Sequence, residues 1–204
     1  METREDDSAA RQDAPAAVPA PPSVWNLASA LTVVRLLLVP VFVVVLFVDD
    51  GDSAPWRWAA FAVFVIAAVT DQLDGRIARK YGLVTDFGKI ADPIADKALI
   101  GAALIGLSIL GVLSWWVTAI IIVREVGVTL LRFWVLRHGV IPASRGGKLK
   151  TLLQAVAIGL YLIPLPDPWQ WAAHIVMAAA VVVTVVTGVE YVYQALALRR
   201  RAAE

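Results

Sequence analysis

Six apolar stretches, at about 31–48, 56–74, 92–112, 115–136, 150–165 and 170–194, punctuate a chain of 204 residues. Each approaches the ~20 residues an α-helix needs to cross a ~30 Å hydrocarbon layer, the fifth being short. Hydrophobic residues make up 59% of the chain, against about 45–50% in an ordinary soluble domain. That surplus needs a second apolar solvent, and a bilayer supplies one. The expected fold is therefore all-α: a polytopic integral membrane protein with six transmembrane helices. A short N-terminal interfacial helix starting near Trp25 is expected to precede the first span.

Residues 1–23, rich in Ala, Pro, Asp and Glu without a periodic apolar face, read as a disordered cytosolic tail. The acidic run Glu5-Asp6-Asp7 does not fit the basic start of a cleaved signal peptide. One membrane domain is expected over 24–198, with a basic tail at 199–204. Net charge is only +1, which gives no electrostatic case for nucleic-acid binding. The chain has no cysteine, so disulfides, iron–sulfur clusters and Cys-based zinc sites are excluded. His138 and His174 lie far apart, which argues against a histidine metal centre.

Loop charge predicts orientation. Arg76, Arg79, Lys80 and Lys89 follow the second stretch, Arg137, Arg145, Lys148 and Lys150 follow the fourth, and Arg199-Arg200-Arg201 follow the sixth. The alternate loops are poor in base. The positive-inside rule then puts both termini on the cytoplasmic side of the cell membrane. Trp115, Trp116, Trp169 and Trp171 fall at the opposite ends, where tryptophan anchors the interface.

The chemistry concentrates in four aspartates. Asp71 and Asp74 are three apart on one helix, and Asp92 and Asp96 four apart on the next, so each pair shares a face. The loop between them is cytoplasmic, which places all four at one membrane edge. A lone acid at a helix centre costs about 2.5–3.5 kcal/mol on insertion scales, and mutual repulsion adds to that. Something must neutralise such a cluster, and oxygen-only donors favour Mg²⁺, Mn²⁺ or Ca²⁺ over zinc. The plainer alternative is four unrelated helix-end acids, with Asp92 an N-cap before Pro93.

The pattern Asp71-x2-Asp74-Gly75-x2-Ala78-Arg79-x8-Gly88-x3-Asp92-x3-Asp96 resembles the signature of the CDP-alcohol phosphatidyltransferases, with every fixed position filled. The similarity runs from about Asn26 to the sixth stretch. It implies six membrane helices and two Mg²⁺ ions, with Mn²⁺ as the alternative, held by Asp71, Asp74 and Asp92. Asp96 would be the general base on the acceptor hydroxyl and also reach a metal. Asn26, Thr32, Asp74, Gly75, Ala78, Arg79 and Thr85 would line the CDP-diacylglycerol pocket. Homodimers are common in the family, and membrane lipids are the natural surroundings.

A second polar set surrounds the fourth and fifth stretches. Arg124 and Arg132, eight apart on one helix, together with Lys148 would form an anion pocket for a phosphorylated acceptor. The plainer alternatives are an internal Arg124–Glu125 pair, and positive-inside anchoring for Lys148 and Lys150. Arg124-Glu125, Leu130-Leu131-Arg132, Gly147-Lys148-Leu149-Lys150-Thr151 and Asn26-x5-Thr32-x2-Arg35-x4-Pro40 are similar to the phosphatidylglycerophosphate-forming branch. Ala28 departs from it, standing where many relatives have proline. That branch uses sn-glycerol 3-phosphate. The same chemistry on phosphatidylglycerol (giving cardiolipin) or on inositol phosphate is the near alternative, and a divalent-cation transporter the distant one.

Overall fold

The computed structural model describes the backbone of residues 27–81, 86–135 and 145–201, and the side chains of 30–70, 94, 97–131, 134 and 147–199. Among these residues the chain forms six α-helices and no strand: α1 (Leu27–Leu46), α2 (Ala54–Tyr81), α3 (Asp86–Ile109), α4 (Trp115–Val135), α5 (Arg145–Leu162) and α6 (Asp167–Arg201). The all-α expectation holds. α1 runs unbroken from Leu27, so no separate interfacial helix precedes residue 31 within the described residues; its expected start at Trp25 lies outside them. The expected tail 1–23 and residues 202–204 also fall outside.

The helices outrun the apolar stretches at one end. α2 continues beyond 74 to Tyr81, α3 begins at Asp86 rather than near 92, and α6 extends to Arg201. Hydropathy stops where charges begin, whereas backbone hydrogen bonding does not. By length and composition, Asp167–Arg199 is the one helix among the described residues able to cross a membrane alone; the apolar parts Ala30–Leu46, Ala54–Thr70 and Lys97–Ile109 are shorter.

Helix ends follow local chemistry. Pro40 lies inside α1, where its ring denies a hydrogen bond to the Leu36 carbonyl. Pro55 and Pro168 sit in the first turns of α2 and α6, where a missing N–H costs nothing. α3 ends in a Schellman arrangement: Gly111 takes φ +70°, its N–H donates to Ser108 O at 3.1 Å, and Val112 N–H donates to Leu107 O at 3.0 Å. In the turn after α1, Asp49, Asp50 and Gly51 all have positive φ. A Cβ at Gly51 would lie 2.6 Å from a Leu110 methyl, so this turn packs directly on the α3 terminus.

Arg57 closes the same end. Its guanidinium donates to Tyr161 O at 2.5 Å and Leu162 O at 3.3 Å, the last carbonyls of α5. A cation there satisfies orphan acceptors and complements the helix dipole. Trp56, Trp58, Trp115, Trp116, Trp169 and Trp171 are exposed at the starts of α2, α4 and α6, all around this end.

α1 packs on α2 and α3, α6 on α4 and α5, and α2–α5 and α3–α4 contacts join the two groups. The shared core includes Phe42, Phe64, Leu104, Ile121 and Ile158, with the Phe42 and Phe64 rings 5.9 Å apart. Other large apolar side chains face away from it: Leu37, Val44, Ile66, Val123 and Val186 point outward, each more than half exposed. A smaller cluster joins Ala195, Leu131, Tyr191 and Leu198 between α4 and α6.

Candidate active site

The acid positions continue the residue spacing of the buried stripes on α2 and α3. On α2 the positions Ala60, Phe64 and Ala67 are buried, and the same spacing of four and three residues leads to Asp71 and Asp74. On α3, Leu99 and Ala103 are buried, and the same spacing read backwards leads to Asp96 and Asp92. Asp92 lies well inside α3, so the N-cap alternative for it does not hold.

The two pairs also match in depth. Asp74 and Asp71 lie seven and ten residues before the end of α2, and Asp92 and Asp96 six and ten residues after the start of α3. At ~1.5 Å per residue these are about 9–10 Å and 15 Å from the connection, level for level. The four side chains themselves lie outside the described ones, as do those of Asn26, Gly75, Ala78, Arg79, Thr85 and Arg132. Four oxygen-donor positions at matching distances along α2 and α3 from their connection suit a hard divalent cation.

A buried arginine stands at the same level. Arg35 is 0% exposed and Thr32 is 1% exposed, both on the α1 face that carries Phe42. Phe42 packs on Phe64. Arg35 lies seven residues from Phe42 toward the α1 start, and Asp71 lies seven residues from Phe64 toward the α2 end. Because α1 and α2 run antiparallel across a short turn, both are about 10 Å beyond the ring pair. In sequence Arg35 is only a branch marker; the structure adds that it is buried on the α1 face whose Phe42 packs against α2.

The second polar set is a four-helix network centred on Glu125. Arg124 Nη1 donates to Glu125 Oε1 at 3.1 Å, Lys150 Nζ donates to the same oxygen, and Lys97 Nζ lies 3.5 Å from Oε2. Lys97 Nζ also donates to Thr129 Oγ1 at 2.7 Å. Arg124 reaches α6 as well, Nε to Thr184 O at 3.1 Å and Nη2 to Thr187 Oγ1 at 2.9 Å. Gln154 Nε2 donates to Thr184 Oγ1 at 2.9 Å. The internal Arg124–Glu125 pair is therefore present, within a larger assembly. Lys150 is buried rather than a free surface anchor, while Lys148 is exposed on α5. Lys97, Gln154, Thr184 and Thr187 carry no signal in the sequence that joins them to Arg124. Three cations meet one carboxylate, leaving a surplus of two positive charges among these residues.

Gly188 makes room for this network. A Cβ there would sit 3.0 Å from Arg124 Cγ and 3.3 Å from Nε. Gly188→Ala is expected to push the arginine off α6 and to destabilise by about 1–3 kcal/mol, as overpacking does elsewhere. A lowered thermal midpoint of the detergent-solubilised protein would register this, and an unchanged midpoint would show that α6 shifts instead.

The family model described as CDP-alcohol phosphatidyltransferase matches residues 25–186. The chain belongs to the CDP-alcohol phosphatidyltransferase family. It is 58% identical over 173 residues to a Mycobacterium tuberculosis protein named "Probable phosphatidylglycerophosphate synthase", covering 85% of this chain and 83% of that one. It is 38% identical over 181 residues to the CDP-diacylglycerol–glycerol-3-phosphate 3-phosphatidyltransferase of Bacillus subtilis, covering 82% and 94%. The Escherichia coli K12 protein of that name is 36% identical over 183 residues, covering 85% and 96%. The chain is thus a phosphatidyltransferase of a membrane-associated, divalent-metal-dependent family, and the transporter alternative is set aside.

Proposed function

We propose that this phosphatidyltransferase moves the phosphatidyl group of CDP-diacylglycerol to sn-glycerol 3-phosphate, giving phosphatidylglycerophosphate and CMP. The observation that carries the reading is the common depth of Asp71, Asp74, Asp92 and Asp96 on core-facing stripes of α2 and α3. The names of the relatives support the acceptor. So does the surplus positive charge around Glu125, which suits a phosphate dianion near α4 and α5.

Asp71, Asp74 and Asp92 are the residues to hold two Mg²⁺ ions. Bound there, the ions supply charge screening for the diphosphate and for departing CMP. Asp96 takes the proton of the acceptor hydroxyl as its oxygen attacks the lipid-bearing phosphorus. The new O–P bond forms as the bond from that phosphorus to the bridging oxygen breaks, and CMP carries the bridging oxygen away. Asn26, Thr32, Gly75, Ala78, Arg79 and Thr85, with Arg35, form the CDP-diacylglycerol side; Arg124, Arg132 and Lys148 form the acceptor side.

All six helices span the cell membrane in this reading, with residues 24–198 as one domain and the protein a homodimer. The tryptophans around the starts of α2, α4 and α6 lie at the outer interface. The acids, the basic loops and both termini lie on the cytoplasmic side.

The test is an acceptor assay on purified protein with CDP-diacylglycerol and labelled glycerol 3-phosphate, phosphatidylglycerol or inositol phosphate. Product is expected from glycerol 3-phosphate, and EDTA is expected to abolish it. Product from another acceptor alone would overturn the substrate assignment, and CMP release undiminished by EDTA would overturn the metal assignment.

A further inference from the structure

We propose that Lys97 is a positioning residue, which fixes Asp96 relative to the acceptor-side helix α4. The inference rests on the reading of Asp96 as the general base and adds a residue to it. Lys97 follows Asp96 directly in α3, turned ~100° from it around the helix. Position 96 lies on the core stripe with Ala103, and Lys97 reaches sideways to α4. Among the described residues its hydrogen bonds are with that helix: Thr129 Oγ1 at 2.7 Å, Glu125 O at 3.4 Å and Glu125 Oε2 at 3.5 Å.

The anchor is itself held. Thr129 Oγ1 donates to Glu125 O at 2.7 Å, and Glu125 is bound by Arg124 and Lys150. Arg124 is tied to α6 through Thr184 and Thr187. Lys97 therefore joins α3 to a braced point.

α3 and α4 have a second polar junction at the other end of the bundle. Ser108 and Thr118 share a buried hydrogen bond of 2.7 Å, and Thr118 Oγ1 also donates to Leu104 O at 3.2 Å. Lys97 and Ser108 are eleven residues apart, about 16 Å along the helix. Two separated junctions fix both rotation and sliding of α3 against α4. One alone leaves a pivot. Removing the Lys97 junction frees the end that carries Asp96, while removing the Ser108 junction frees the far end. Base and acceptor must meet within hydrogen-bond reach, so this freedom lowers turnover more than substrate binding.

The test compares Lys97→Met, Lys97→Arg, Thr129→Val and Ser108→Ala in the purified full-length enzyme, using the acceptor that the wild type accepts. Lys97→Met is expected to lower kcat about 100-fold, the loss that small misplacements of reacting groups cause. KM for CDP-diacylglycerol and Mn²⁺ affinity read by electron paramagnetic resonance are expected to stay at wild-type values. Lys97→Arg should recover much of the loss. Thr129→Val, with the lysine intact, should show a smaller loss of the same kind, and Ser108→Ala should keep wild-type kcat.

Wild-type kcat in both Lys97→Met and Thr129→Val overturns the proposal. So does an equal loss in Ser108→Ala, which would mean general weakening of the bundle, or loss of Mn²⁺ binding in Lys97→Met. If Lys97→Met does not fold, Thr129→Val against Ser108→Ala decides alone. Failure of the underlying reading is seen separately, as full activity in Asp96→Asn.

Discussion

Asp96→Asn should fold, bind CDP-diacylglycerol and lose about 10²–10⁴ of its turnover, the range over which a positioned general base acts. The substitution keeps the size and helical setting of the side chain and removes only its capacity to take a proton. Asp96 sits at the same depth as Asp71 on the facing helix, deeper than Asp74 and Asp92, about 15 Å from the connection between α2 and α3. It also adjoins Lys97, the α3 residue that reaches α4. Steady-state turnover alongside equilibrium binding of CDP-diacylglycerol would check both halves of the expectation. Near-normal turnover removes Asp96 from the base role. Lost lipid binding with lost turnover makes it a ligand-holding residue instead.

The second large effect is on stability. Glu125→Gln is expected to destabilise the detergent-solubilised protein by about 3–5 kcal/mol, the loss typical when one partner of a buried ion pair is removed. The amide keeps the shape and some hydrogen bonds but withdraws the negative charge that Lys97, Arg124 and Lys150 share. The side chains of Arg124 and Lys150 are 14% and 8% exposed, so water does little to replace it. Lys97, at 39%, contributes less. Combining Glu125→Gln with Lys150→Met should recover part of the loss, because the second change removes one of the stranded cations; residues in one network are non-additive in this way. Thermal midpoints of the two single variants and the double variant complete the cycle. A wild-type midpoint for Glu125→Gln would mean that the cations are solvated rather than dependent on this carboxylate.

The two polar sets differ in how far they can be read from the chain. The aspartates are legible because their relation is local. Spacings of three and four residues put Asp71 with Asp74, and Asp92 with Asp96, on shared faces of any α-helix. A short connection then brings the two helices together. Arg124 and Glu125 are legible as a pair for the same reason, being adjacent. Lys150 is not: a lysine at a basic loop reads as an interfacial anchor, yet it is buried against a carboxylate 25 positions earlier. Thr184 and Thr187 are equally silent within an Ala/Val-rich helix, although they hold both Arg124 and Gln154. Arg35 is visible as a letter in a branch pattern, but its depth relative to Asp71 follows from Phe42 packing on Phe64.

The amino-acid order alone determines six helices, their alternation, the faces that carry the acids and the family to which the chain belongs. Apolar length and helical periodicity are properties of neighbouring residues, so no tertiary knowledge is needed for them. Tertiary structure decides which distant groups meet, three cations on Glu125 and Lys97 joined to Thr129, and which backbone positions stand level, as 35 and 71 do. Those meetings depend on the rotation and depth of one helix against another. Packing sets both, through contacts such as the Cβ-free surface of Gly188 under Arg124, between residues more than 60 positions apart.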